Sequence, residues 1–327
     1  MLIFLLVILN IALGSVSIPL EEIIYSLLGI SDEGLWDDIV WKFRLPKVLT
    51  TIVAGGSLAL SGLLMQTFFR NPIAGPFVLG ISSGASLGVA LLILAVGWLG
   101  QYALFSAILE SSWALVIMAS FGASTVLFLL LLVARRIKDV STLLILGLMF
   151  GSATSAVVSL LQYFSSQQAL QNFVLWSMGN LNGVTWAELK LLLPLNILVW
   201  FAVIGLAKSL DALLLGEEYA QSMGVNVQKT RTLIIGATSI LAGSITAFCG
   251  PIAFVGIAIP HLARMLFRVH QHRLLVLGTA LLGILTLLAC QLVAQLPGSD
   301  QQLPINVVTS FLGAPMVIWI VLRGQKI

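Results

Sequence analysis

Charge is missing from long stretches of this 327-residue chain: residues 1–20, 48–69, 71–109, 111–134, 140–187, 232–263, 274–299 and 301–322 hold no Asp, Glu, Lys or Arg. Most of these gaps exceed the ~20 apolar residues that cross a bilayer core. In lipid every backbone N–H and C=O must be paired within the structure, which leaves helices or a closed barrel. The runs are continuous rather than alternating, so they predict helices. The expected fold is all-α: a polytopic membrane protein in a single transmembrane domain, residues 1–327. Composition agrees, with 9% charged residues against about 25% in a soluble domain.

Ten spans are predicted, at about 1–18, 46–68, 76–98, 113–134, 142–164, 189–208, 231–249, 252–269, 274–295 and 304–323. Glycine and proline interrupt the third and the eighth. The N-terminal run lacks a basic leader and an A-x-A-like site, so it reads as the first span rather than a signal peptide. Residues 165–188 are too polar to span. They suit an interfacial or re-entrant piece, with Trp176 and Trp186 at the level of the lipid headgroups. Cys249 and Cys290 both sit in apolar runs and read as buried thiols.

With the N-terminus inside, the inner loops collect twelve basic residues and the outer side four: Lys42, Arg44, Lys47 and Lys190. That bias places both termini in the cytoplasm of a cell inner-membrane protein. The net charge of +3 is dispersed and gives no sign of nucleic-acid binding. "GPFVLGISSGA" (75–85) and "GPIAFVGIAIPH" (250–261) echo one another at the starts of the third and eighth spans, the kind of broken-helix repeat found in transporters.

Enzyme chemistry finds little footing. "GISSG" (80–84) matches a nucleophile motif at Ser82 but lies in an apolar helical run rather than at a strand–helix turn. Gly80, Gly84 and Gly88 instead suit a close helix-packing face. The histidines, His261, His270 and His272, have no carboxylate or cysteine at ligand spacing, so no metal site is expected. "RVHQHR" reads as a basic loop at the membrane surface, and His261, just after Pro260, reads as orienting a helix end. No carboxylate falls inside a span, which disfavours ion-coupled transport. No G-x-x-x-x-G-K-[ST] loop is present either. ATP with its Mg²⁺ would therefore bind a partner, and this chain needs no cofactor of its own.

The acidic stretch "LDALLLGEEYAQSMGVN" (210–226) interrupts this pattern. Asp211 can cap a first short helix that Gly216 ends. Glu217 and Glu218 suit the N-terminus of a second, and Gly224 a left-handed stop. Leu215, Ala220 and Met223 would form a small apolar ridge. Either a structured inter-helix loop or a docking knob for a cytoplasmic ATPase fits these features.

Five stretches carry a resemblance: "RLPKVLTTIVAGGSLALSGLLMQTFFRNPIAGPFVLGISSGA" (44–85), "WSMGNLNGVTW" (176–186), "LLLGEEYAQSMGV" (213–225), "GPIAFVGIAIPHLARML" (250–266) and "LPINVVTSFLGAPMVIWIVLR" (303–323). Over nearly its whole length the chain resembles the FecCD/BtuC-type permeases, the membrane subunits of ABC importers for iron-siderophores, haem and cobalamin. Arg70, Asn71, Pro72, Pro260, His261 and Arg264 belong to these motifs. The resemblance implies ten helices, a homodimer enclosing the path (or a pair with a related permease) and two cytoplasmic ATPase subunits. It also implies a periplasmic or lipid-anchored binding protein. It places ATPase coupling on Leu213, Leu215, Gly216, Glu217, Glu218, Ala220, Met223 and Gly224, and a cytoplasmic gate at Ser141 and Thr142. Arg44 and Lys47 correspond to basic residues that meet the binding protein, with lipid phosphates or Asp37 and Asp38 as the alternative partners. A third basic position of the cobalamin permease is Gln295 here. An iron chelate or haem is preferred to cobalamin as cargo, because permeases for the former are more numerous in the family.

Overall fold

A computed structural model describes residues 1–30, 34–94, 112–134, 137, 140–269, 271–296 and 301–324. It is all helical among these residues. In chain order the helices are α1 (Leu2–Ala12), α2 (Leu20–Leu28), α3 (Leu35–Ile39), α4 (Leu45–Phe68), α5 (Ile81–Ile93), α6 (Ser112–Ala134), α7 (Val140–Phe164) and α8 (Gln167–Ser177). There follow α9 (Trp186–Gly205), α10 (Ala207–Leu214), α11 (Glu217–Ser222), α12 (Val227–Cys249), α13 (Val255–Phe267), α14 (His272–Ala294) and α15 (Ile305–Gly324). Among the described residues six are long and apolar enough to cross a membrane: α3 running into α4, then α6, α7, α9, α12 and α14. The apolar helices α1, α5, α13 and α15 supply the remaining predicted spans, the first three of them only 11–13 residues long.

The largest departures from the expected ends are in the first two spans. The first stops at Ala12, and Leu13 is already extended, because a distant side chain takes over its carbonyls: Arg44 donates to the oxygens of Leu13 and Val16. The second begins not at Pro46 but at Leu35. A π-helical turn over Val40–Arg44 joins α3 to α4, and the Leu45 N–H bonds back to the Val40 carbonyl. That wide turn accommodates Pro46, which has no N–H to give, inside a continuous helix.

Helix α4 is the buried axis of the bundle, packed by α14, α12, α13 and α9. Its neighbours come close where neither has a side chain. A Cβ on Gly55 would lie 2.5 Å from the Gly283 oxygen of α14. The α5–α6 contact works the same way, with Gly84 against Gly122 and Gly88 against Met118, so this part of the predicted small-residue face packs as expected. Gly80 instead takes φ 73° at the corner between a 3-10 turn (Pro76–Leu79) and α5. A polar knot ties α4, α9 and α12 in mid-bundle. Ser57 donates to Asn196 at 2.8 Å, Asn196 donates to Ser244 at 3.1 Å, and the Trp200 indole donates to Ser57 at 2.9 Å.

Both glycine–proline pairs lie at helix breaks, and the two breaks touch: a Cβ on Gly256 would lie 2.7 Å from the Pro76 ring. The irregular backbone after α12 is satisfied by one amide. Asn306 accepts from the Ala253 N–H at 2.8 Å and donates to the Pro251 and Ser177 carbonyls at 2.6 and 3.3 Å. Non-helical backbone survives at membrane depth only when protein groups satisfy it in this way. Ser166 caps α8, so the polar 165–188 stretch holds a short helix rather than a span. Cys249 and Cys290 are buried free thiols.

Candidate functional site

The acidic stretch does form two short helices, and their ends follow local chemistry. Gly216, at φ 122°, breaks α10 from α11. At the far end of α11 the Gly224 N–H bonds to the Gln221 carbonyl and the Val225 N–H to the Ala220 carbonyl. With Gly224 at φ 84°, this is a Schellman stop.

Asp211 corrects the expectation. Helix α10 starts at Ala207, so Asp211 lies within it and cannot cap it. Its carboxylate caps α14 instead, accepting from the His272 N–H at 2.9 Å and from His272 Nδ1 at 2.6 Å. His272 in turn meets the Thr67 hydroxyl through Nε2 at 2.9 Å. "RVHQHR" is accordingly not a wholly exposed loop, since His272 is buried at the start of α14, while His270 lies outside the described residues.

Glu217 reaches the other way, to Arg231 of α12 at 3.1 Å. Arg231 is buried, donates to the Ile137 carbonyl at 2.8 Å and stands 5.8 Å from the Phe68 ring centroid. Carboxylates on both short helices are therefore fastened to the bundle. The outward side is apolar. Leu215 is 65% exposed and Met223 59%, with Tyr219 exposed beside them. Ala220, expected in this ridge, is fully buried. Residues 219 and 223 share a helix face at i, i+4, whereas residue 220 is turned about 100° away. Leu213 is buried as well, and Glu218 lies at the rim.

Leu215 and Tyr219 of this ridge also line a cavity of about 660 Å³. It is lined by Phe68, Arg70, Ser141, Gly216, Glu218 and Tyr219 among others, so Ser141 and the short helices share one space. Thr142, beside Ser141, is exposed. Arg70 is there because α4 ends in a second Schellman motif: the Arg70 N–H bonds to Thr67 and the Asn71 N–H to Gln66. Arg70 takes φ 46° in consequence, a conformation that costs a non-glycine residue about 1 kcal/mol. The Asn71 side chain accepts from the Ile73 N–H at 3.1 Å, turning the chain toward exposed Pro72. Arg264 donates to Gln66 at 2.6 Å, and Gln66 donates to the Ile257 carbonyl at 2.8 Å, clasping α13 to the end of α4. Pro260 is buried within α13, and the neighbouring His261 is half-buried.

At the opposite end of α4, Arg44 and Lys47 do not face outward. Arg44 is 7% exposed and Lys47 is equally buried. An ammonium can only donate, so the Gln295 amide is oriented with its oxygen toward Lys47, at 2.8 Å. The three positions matched by resemblance are thus neighbours, pointing into the fold. Among the described residues the exposed charges on this side include Glu21, Asp38, Lys42 and Lys190, with Asp38 and Lys42 paired at 2.8 Å. Ser82, the nucleophile-motif serine, sits in α5 and contacts Thr246 at 3.4 Å.

The profile of the FecCD transport family matches residues 2–323. The chain belongs to that family. Vitamin B12 import system permease proteins BtuC from Klebsiella pneumoniae subsp. pneumoniae and from Salmonella typhimurium LT2 are each 38% identical to it. The first match runs over 287 residues and covers 88% of this chain and 83% of the relative. The second runs over 288 residues and covers 88% and 84%. A solved metal-chelate type ABC transporter in an inward-facing conformation superposes with a TM-score of 0.84 at 28% identity, covering 98% of this chain and 96% of its own. PsaBC from Streptococcus pneumoniae, solved with a Fab, shares the fold alone, at TM-score 0.56 and 14% identity over 86% of this chain and 92% of its own. This FecCD chain is therefore an ABC-importer permease, a multi-pass protein of the inner membrane whose ATPase is a separate subunit.

Several residues that build the site carry no signal in the local sequence. Gln66, Thr67 and Phe68 are ordinary members of an apolar run, yet each reaches a different helix. Arg231 looks like a routine charge at a span end. Only their partners, far along the chain, reveal them.

Proposed function

We propose that this permease passes a corrinoid, cobalamin, through a dimer of two copies driven by two cytoplasmic ATPase subunits. A substrate-binding protein loads it from outside. The observation that carries the cargo is the 38% identity, over 88% of this chain, to permeases named for vitamin B12. A second reading, an iron chelate such as a siderophore complex or haem, is supported by the likeness to a metal-chelate type transporter at 28% identity. Proteoliposomes holding the permease, its ATPase and its binding protein separate the two. Under the first reading ATP drives uptake of cyanocobalamin, and ferric siderophore and haem are left outside. Uptake of an iron chelate alone would reverse the assignment.

The exposed Leu215, Tyr219 and Met223 side chains are the ATPase contact in this reading, and the cavity beside Ser141 and Thr142 is the cytoplasmic gate region. ATP and Mg²⁺ stay with the partner. Binding-protein docking falls to the exposed surface of α2 and α3, because Arg44 and Lys47 are engaged inside the fold. Met223→Asp is expected to leave the permease folded, since the side chain is exposed, while an ionised carboxylate in an apolar contact disfavours docking by several kcal/mol. Co-purification of the ATPase with affinity-tagged permease checks this, and full recovery of ATPase would clear the ridge of that role.

A further inference from the structure

Three consecutive residues at the end of α4 hold three different helices. Gln66 clasps α13, Phe68 lies beneath Arg231 of α12, and Thr67 meets His272 at the start of α14. The Thr67 contact reaches furthest, because His272 is also bound by Asp211 of α10. Asp211 can only accept, so Nδ1 of the ring carries a hydrogen. In the neutral ring Nε2 is then the acceptor for the Thr67 hydroxyl. One chain of hydrogen bonds thus runs from α10, through the imidazole, to the last turn of α4.

Both inner members are closed off from solvent, Thr67 and His272 being each 1% exposed. Water cannot replace a lost partner there. Separating any two groups by an ångström leaves a buried polar atom unpaired, whereas moving all three together leaves the bonds intact. Asp211 also caps α14 through the His272 N–H, so α10 cannot shift without pulling on that helix end. Apolar contacts between α10 and α4 could slide. This chain cannot.

We propose that Asp211, His272 and Thr67 form a positioning relay that passes displacement of α10, on the ATPase side, to the end of α4 and through Gln66 to α13. The proposal rests on the reading of residues 210–226 as the ATPase contact. It assigns to His272 and Thr67 a part in coupling that neither has as a merely buried side chain.

The test uses the whole importer in proteoliposomes, measuring cyanocobalamin uptake per ATP hydrolysed, with ATPase co-purification as a separate readout. Thr67→Val keeps shape and removes the hydroxyl; Thr67→Ser keeps the hydroxyl. His272→Gln can still reach Thr67 but not Asp211, and His272→Asn can reach Asp211 but not Thr67. The relay predicts that Thr67→Val and both His272 variants assemble with the ATPase and hydrolyse ATP. Their uptake per ATP falls about tenfold, within the range of ordinary coupling energies, and Thr67→Ser restores it. Wild-type uptake per ATP in Thr67→Val would overturn the relay, and so would equal loss in Thr67→Ser, which would mean packing alone. Loss of ATPase binding in these variants would also overturn it, because the bonds would then be shaping the docking surface rather than passing motion on. A wild type that takes up neither cyanocobalamin nor an iron chelate is the distinct result that removes the importer reading, and this proposal with it.

Discussion

Replacing Arg44 by glutamate is expected to leave little folded permease to assay, rather than a folded permease that fails to meet its binding protein. The guanidinium lies against Gly14, where a Cβ would find no room, and donates to the Leu13 and Val16 carbonyls just beyond α1. A carboxylate there would turn acceptors toward acceptors. Nearby Lys47 is already held by Gln295. Removing one partner from a buried charged arrangement typically costs about 3–5 kcal/mol, a large fraction of the 5–15 kcal/mol that holds an ordinary domain together. Arg44→Lys, which keeps the charge and can reach one carbonyl, should recover part of the loss. Thermal unfolding and size-exclusion profiles in detergent decide the matter. A monodisperse Arg44→Glu protein of wild-type stability whose binding-protein affinity alone has dropped, more so at low salt, would restore the docking role suggested by resemblance.

Arg44 also shows where sequence reasoning ran out. The spans were legible because the absence of charge is a property of each segment by itself. The end of α1 was not, since it is set by a side chain some thirty residues on. The same division runs through residues 210–226. Gly216 and Gly224 act on their own backbone, and their roles were readable from the stretch itself. Asp211 satisfies the N-cap pattern equally well, but the helix it caps begins at His272, whose approach depends on the packing of α10 against α14. Ala220 was misplaced for a geometric reason: its face is fixed by the helical phase of α11, and Tyr219 with Met223 takes the outward position. Small residues in the spans marked close approaches in general, yet nothing local pairs Gly55 with Gly283 or Gly62 with Gly256.

Gly62 carries the other large expectation. It faces the Gly256 oxygen of α13 so closely that a Cβ would overlap the carbonyl and crowd the Gly256 Cα at 2.8 Å. That oxygen is set by Pro260, whose missing N–H leaves the carbonyl four residues earlier without its helical partner. No flexible side chain stands at the contact to swing aside; both surfaces are backbone. Admitting even one methyl therefore means parting two helices, and α13 is also fastened to α4 by Gln66 and Arg264 a turn further on. We expect Gly62→Ala to destabilise the permease at or above the ~3 kcal/mol upper end of ordinary overpacking, and to pull Arg264 from Gln66. Gly236 of α12 is the comparison, for a Cβ there meets nothing within 4 Å. Alanine at that helical position should be neutral or stabilising by about 0.5–1 kcal/mol. Thermal unfolding of both variants in the same detergent measures the difference. Gly62→Ala unfolding at the wild-type temperature would show that α4 and α13 are not held at backbone contact, and the clasp at Gln66 would then have to position α13 alone.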